Sequence, residues 1–217
     1  MSQYNTYKKE VLAGAKWLSD AGYFGSLRGS GGNVSVRIDD GTMAITPSSL
    51  SYQVMTTDDI CIVAADGTVI ESQNGGKPSV ESGLHSAVYR VRPDVQAVVH
   101  THQTYGSLFS VIGTPIPPLF DEVSFSLGPD VDMISFALSG TPELAKNVEE
   151  KVSNHANAYL IQNHGILALG KTLDKAILHA ELLEKTAHIY YMAISTGKPV
   201  TTLPESIIEL ITALRQH

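Results

Sequence analysis

His100 and His102 stand two residues apart at the end of the apolar run Val95-Gln96-Ala97-Val98-Val99. If that run is a strand, residues i and i+2 share one face, so both imidazoles can reach one ion. A bare His-x-His is more often a pair of polar residues near a strand end. His164 changes the weighting, because it follows Tyr159-Leu160-Ile161 and precedes Gly165, where a turn can aim a side chain inward. Three imidazoles with one open position are the usual composition of a catalytic zinc site. Glu81 is the candidate fourth group, as ligand or as base, although a carboxylate at the start of a helix is also favoured there by the helix dipole alone. His85 follows it by one turn. On a later helix Glu184 precedes His188 by four residues and His179 lies nearby; a helix-face hydrogen bond ranks above a metal for that pair. His155 and His217 read as solvent-exposed.

A second chemical feature is the loop Gly29-Ser30-Gly31-Gly32-Asn33. It lacks both the Gly-x-Gly-x-x-Gly register and the P-loop lysine, so no nucleotide motif is claimed. Its successive backbone N–H groups can form a nest for phosphate or carboxylate, aided by Arg28 and by the hydroxyls of Ser48 and Ser79 if folding gathers them. A glycine-rich turn with no ligand is an equal reading of the loop alone.

These groups need a frame. Val11, Leu12, Ala15 and Leu18 predict an amphipathic helix from Tyr7 to Ala21. Val34 to Ile38 alternates with period two, and Asp39-Asp40-Gly41 turns it into Met43 to Thr46. A second hairpin joins Asp59–Ala64 to Thr68–Ile70. A helix is expected from Ser79 to Val91, stopped by Arg92-Pro93, and it leads into the strand Val95–His102. After the proline-rich Pro115–Pro118 come short strands containing Met133–Phe136. Thr141-Pro142 opens a helix to Asn154, Ala158–Gln162 and Gly165–Leu169 are strands, Thr172 caps a long helix to Thr196, and a last helix spans Pro204–Leu214.

The 217 residues include 15 Lys plus Arg against 22 Asp plus Glu, a net charge of −7, with 43% apolar residues. That is enough for one full core, and a single domain over 1–217 is expected. The acidic balance opposes binding to DNA, RNA or an anionic membrane, and no basic patch offsets it. Cys61 is the only cysteine, which excludes an intrachain disulfide and cysteine-based zinc sites. No apolar stretch suggests a signal peptide or a membrane span, so the cytoplasm is the expected compartment.

Gly32-Asn33-Val34-Ser35-Val36-Arg37, Ile45-Thr46-Pro47-Ser48, Lys77-Pro78-Ser79-Val80-Glu81, His100-Thr101-His102 and Gln162-Asn163-His164-Gly165 occur in the order and spacing of the class II aldolase/adducin family. The chain resembles that family from Tyr7 to Thr196, and most of all its fuculose-phosphate aldolase branch. The resemblance implies an α/β/α fold with a mostly antiparallel sheet, a zinc-type divalent ion (Zn2+, or Mn2+ or Co2+), and a homotetramer with active sites between subunits. It makes His100, His102 and His164 the metal ligands and Glu81 the catalytic acid/base. It also places Gly32, Asn33, Ser48 and Ser79 around the substrate phosphate. Related 4-epimerases carry Asp where this chain has Glu81. Three departures stand out. The family's Thr-Gly pair is Ser48-Ser49 here, the second serine of its Pro-Ser-Ser-Glu motif is Val80, and its interface tyrosine aligns with Asp121. Arg28 can compensate for the lost hydroxyl, and Asp121 or Glu122 for the lost acid.

The chemistry implied is stabilisation of an enediolate beside a carbonyl, with the ion as Lewis acid and Glu81 moving the proton. That role calls for a Glu81 pKa raised towards neutrality by partial burial and by displacement from the ion when substrate binds. Reversible aldol cleavage of a short ketose phosphate ranks first. A decarboxylase of a sugar-acid phosphate or another anionic substrate follows, a 4-epimerase or dehydratase ranks lower, and a metal-free adducin-like scaffold ranks last.

Overall fold

The computed structural model describes residues 2–26, 29 and 31–215. Arg28 and His217 lie outside them. Helix α1 (Asn5–Asp20) buries Val11, Ala15 and Leu18, the face its spacing predicts. β1 (Asn33–Asp39) and β2 (Thr42–Ile45) pair through the expected turn, where the Gly41 N–H donates to Asp39 Oδ1 at 2.9 Å. β3 (Cys61–Ala64) and β4 (Val69–Glu71) form the second hairpin.

Beyond them lie α2 (Ser82–Val91), β5 (Ala97–Thr101), α3 (Thr104–Ile112), α4 (Asp121–Leu127), β6 (Met133–Ile134), α5 (Pro142–Val152), β7 (Ala158–Ile161), β8 (Gly165–Gly170), α6 (Leu173–Ser195) and α7 (Glu205–Arg215). The sheet order is β4-β3-β2-β1-β5-β8-β7-β6, and every neighbouring pair is antiparallel except β6 with β7. β5, β7 and β8 are buried along their whole length, as expected of apolar runs with helices on both faces.

One core contains Val11 and Leu18 of α1, Val34, Val99, Phe109 of α3 and Leu183 of α6. The other contains Leu84 and Val88 of α2, Val98, Leu144 and Val148 of α5, and Leu167. Val98 and Val99 thus face opposite layers, and the architecture is α/β/α with a mostly antiparallel sheet. Each Leu or Val withdrawn from water into these layers contributes roughly 1.5–3 kcal/mol. The same alternation sends Asn33, Ser35 and His100 to the side covered by α2.

Three elements depart from expectation. α2 begins at Ser82, three residues late, because Pro78 is held in a bridge opposite Pro47 and the Ser79 N–H donates to Thr46 O. α3 and α4 are helices where none was expected. Both are short, so local periodicity is weak, and α3 depends on tertiary contacts: the Glu184 carboxylate of α6 accepts from the Tyr105 and Gly106 N–H groups at its start. Glu184 therefore caps α3 instead of pairing with His188, whose ring stacks on Tyr105 at 3.9 Å. Thr141 and Thr172 cap α5 and α6 as expected, accepting from the Leu144 and Lys175 N–H groups. Among the described residues no helix is long and apolar enough to cross a membrane.

Candidate metal centre and active site

The end of the sheet where β5 finishes and β8 begins carries the three imidazoles. His100 lies on β5, opposite Asn33 of β1 and Leu167 of β8. His102 is one residue past the strand, yet its Nε2 stands 2.9 Å from His100 Nε2. His164 sits in the tight β7–β8 connection, where Asn163 takes φ 54° and the His164 N–H donates to Ile161 O at 3.0 Å. Asparagine is among the few residues that accept that left-handed backbone at modest cost. The ligating atoms of all three rings lie within 4.8 Å of one another.

These residues fit a divalent cation on the chemistry of the donor set. His100 Nδ1 is 2.7 Å from Ile166 O, so it carries the ring proton and leaves the Nε2 lone pair facing the cluster, the outer-shell arrangement common to metal-bound histidines. Burial and the neighbouring imidazoles hold His102 down at about 3, and burial with His100 holds His164 at about 4. Both rings are therefore neutral near pH 7, the form that ligates. Glu81 Oε1 and His164 Nδ1 are buried without a hydrogen-bond partner among the described residues. Gly165 makes the convergence possible: a Cβ there would come within 2.4 Å of Thr101 O and 2.7 Å of His102 Cδ2.

Glu81 occupies the N-cap position of α2, but its side chain makes no capping hydrogen bond. It turns to the histidines, with Oε2 3.3 Å from His100 Nε2 and Oε1 3.2 Å from His164 Nε2. Asn33 Nδ2 donates to Oε2 at 2.8 Å. Burial pushes this carboxyl up, but His100, His164 and the Asn33 hydrogen bond outweigh it and hold it at about 2. The elevated value expected from burial is thus not found, because His100, His164 and the Asn33 N–H together lower it more than burial raises it. A raised value requires substrate to move Glu81 off these partners.

The anion-loop residues are partly gathered. Gly32 takes φ +69° with its carbonyl accepting from Tyr52 Oη at 2.8 Å, and a Cβ there would run into Phe24 and His100 O. The segment holding Ser48 and Ser49 runs beside the one holding Ser79, tied by the Ser48 N–H to Lys77 O at 2.8 Å. Ser48 and Ser49 Oγ are 3.2 Å apart, and Ser49 adopts φ 59° where the family pattern has glycine. Ser79 Oγ accepts from the Glu81 N–H at 3.2 Å. The Asn33 amide is committed at both ends, to Glu81 and, through Oδ1, to His85 Nε2 at 2.5 Å, leaving one amide hydrogen free for an anion. Asp121 is not brought to the histidines of its own chain. It is exposed at the start of α4, in a groove of about 420 Å³ formed with Phe125, Ile207 and Leu210.

Reading the residues in order missed Ser35 and Tyr89, which extend the hydrogen bonding behind His85, and Ser139, whose Oγ is 3.4 Å from His164 Nε2. Only the period-two alternation of β1, which puts Ser35 on the Asn33 face, could have pointed to the first. His179 is accounted for by a 2.6 Å bond from its ring to Leu169 O, and His155 is exposed as expected.

A three-histidine cluster with a buried carboxylate, at the end of a mostly antiparallel α/β/α sheet, defines a metal-dependent lyase of the class II aldolase type. Residues 9–191 match the family described as Class II Aldolase and Adducin N-terminal domain, and the chain belongs to that family. It is 35% identical over 204 residues to a 5-deoxy-D-ribulose 1-phosphate aldolase of Bacillus thuringiensis serovar kurstaki, covering 93% of this chain and 92% of the relative. It is 33% identical over 187 residues to an L-fuculose phosphate aldolase of Escherichia coli strain K12, covering 86% and 85%. A solved structure named L-fuculose 1-phosphate aldolase superposes with a TM-score of 0.86 at 31% identity, covering 100% of this chain and 98% of the other.

Proposed function

We propose that the chain, acting as a single domain in a cytoplasmic homotetramer, catalyses reversible aldol cleavage of a short ketose phosphate into a hydroxyketone phosphate and an aldehyde. The observation that carries this reading is the placement of both Glu81 oxygens 3.2–3.3 Å from two of three converging imidazoles. The printed names of the relatives support the same substrate class.

A divalent cation of the zinc type, held by His100, His102 and His164, would supply a Lewis acid that polarises the ketone. In the condensation direction the Glu81 carboxylate takes a proton from the hydroxymethyl carbon, and in cleavage it returns that proton to the enediolate carbon. Asn33 steadies the carboxylate through its Nδ2–H. The hydroxyls of Ser48, Ser49 and Ser79, the remaining Asn33 N–H, the Gly32 loop and Arg28 bind phosphate. Asp121 reaches the active site of a neighbouring subunit and protonates the aldehyde oxygen. Val80 is two-thirds exposed beside this site, so the hydroxyl that family members carry there is lost from a position open to ligand.

The test is proton NMR of the metal-loaded protein with dihydroxyacetone phosphate in deuterated water and no aldehyde. Exchange of the hydroxymethyl hydrogen is the expected result. No exchange would refute phosphate-ketone recognition and favour the decarboxylase that Val80 and Asp121 leave open.

A further inference from the structure

Behind Glu81 runs a line of buried polar groups that the proposed reaction does not consume. His85, wholly buried in the first turn of α2, places Nε2 2.5 Å from Asn33 Oδ1 and Nδ1 2.6 Å from Ser35 Oγ. Ser35 Oγ is in turn 2.8 Å from Tyr89 Oη, one turn along α2. Taken singly, each of these contacts could run in either direction. Taken together they have one solution. Asn33 turns its amide nitrogen to Glu81 Oε2 and its Oδ1 to His85. An amide oxygen only accepts, so the ring proton of His85 sits on Nε2. A neutral ring then has a bare Nδ1, to which Ser35 donates its hydroxyl proton, and Tyr89 donates to Ser35 Oγ. The far end is anchored: the Arg37 guanidinium lies 4.6 Å above the Tyr89 ring and donates to the carbonyls of Tyr89, Arg92 and Val95.

We propose that His85 is a positioning residue for Glu81, acting through Asn33: its Nε2–H locks the amide in the one orientation that offers the carboxylate an N–H. A flipped amide would set its oxygen 2.8 Å from Glu81 Oε2, acceptor against acceptor, and drive the carboxylate from its place between His100 and His164. The catalytic consequence rests on the reading of Glu81 as the proton-transfer group. The hydrogen-bond direction does not.

Histidine labelled with ¹⁵N in the full-length protein reports the tautomer directly, with His85 assigned by its loss in His85→Gln. The neutral Nε2–H ring is expected. A ring protonated on Nδ1 would overturn the proposal, and that result is independent of any activity. Kinetics separate positioning from support of the fold. In His85→Gln the side-chain amide can place an N–H where Nε2–H was, whereas His85→Asn is too short to reach Asn33. His85→Asn should slow exchange of dihydroxyacetone phosphate at saturation by roughly 10–100-fold, with its KM and bound metal unchanged. His85→Gln should recover most of that loss. Equal losses in the two variants, or a loss expressed in KM or metal content, would also overturn it.

Discussion

Gly165→Ala perturbs the convergence of the three imidazoles without altering a ligand. The added Cβ would lie 2.4 Å from Thr101 O, 2.7 Å from His102 Cδ2 and 3.4 Å from His100 Cε1. Carbon and carbonyl oxygen rest at about 3.3 Å or more, so roughly 1 Å must be found. The nearest atom is backbone oxygen of β5, whose Thr101 is paired with Ile166 of β8, so that strand cannot retreat without opening the ladder. The backbone of the β7–β8 turn has to shift, and the ring of His102 has to give as well. Overpacking of this kind costs about 1–3 kcal/mol, and if the strain falls on the liganded arrangement it weakens metal binding by about 5–150-fold. Competition with a chromophoric chelator measures the affinity, and urea unfolding of the chelator-treated protein measures the remaining cost. Gly83→Ala is the control: nothing lies within 4 Å of its Cβ, and a helical Gly→Ala change should stabilise by roughly 0.5 kcal/mol. Gly165→Ala with wild-type metal affinity and wild-type stability would refute the steric reasoning.

Glu81→Gln should keep its metal, seen by elemental analysis, and lose about 10²–10⁴-fold in turnover, the usual contribution of a general acid or base. Full activity would remove Glu81 from the mechanism. Asp121→Asn should lower turnover in the presence of aldehyde while leaving hydroxymethyl exchange intact, because the role proposed for Asp121 is confined to the aldehyde oxygen; equal loss in both assays would contradict that division. The metal-free protein should lose stability as pH falls from about 6.5, the ordinary histidine value. His85 and His102 are held at about 3 and His164 at about 4, chiefly by burial, so the unfolded chain takes up protons that the folded chain refuses. Each ring contributes at most about 1.4 kcal/mol per pH unit until its folded value is reached. Glu81, held at about 2, adds a further loss below the ordinary carboxylate value near 4.5. Urea midpoints of chelator-treated protein at pH 7.5, 6 and 5 check the sign, and a flat profile would contradict it. His85→Gln should flatten the slope by one ring's share.

Most of the sheet was legible in the residue order, because alternating and apolar runs such as Val34–Ile38 and Ala158–Gln162 depend only on local burial pattern. The capped helices α5 and α6 were legible for the same reason: Thr141-Pro142 and Thr172 announce themselves within a few residues. Local pattern also marked His100, His102 and His164 as candidate ligands, by the i, i+2 rule and the turn before Gly165, and Glu81 as a candidate at the start of a helix; the fold brings the four together. What local pattern could not supply was the start of α2, which a bridge to the distant Pro47 delays, or α3, whose first N–H groups are satisfied by a carboxylate from α6. The ionisation of Glu81 was likewise undecidable in sequence. Burial alone raises a carboxyl, and only the meeting of four chain segments, which brings Asn33, His100 and His164 against it, reverses the direction. The identity of the candidate groups is thus a property of the chain order. Their protonation and hydrogen-bond direction belong to tertiary contacts, because electrostatic and hydrogen-bond energies depend on separations that sequence distance does not encode.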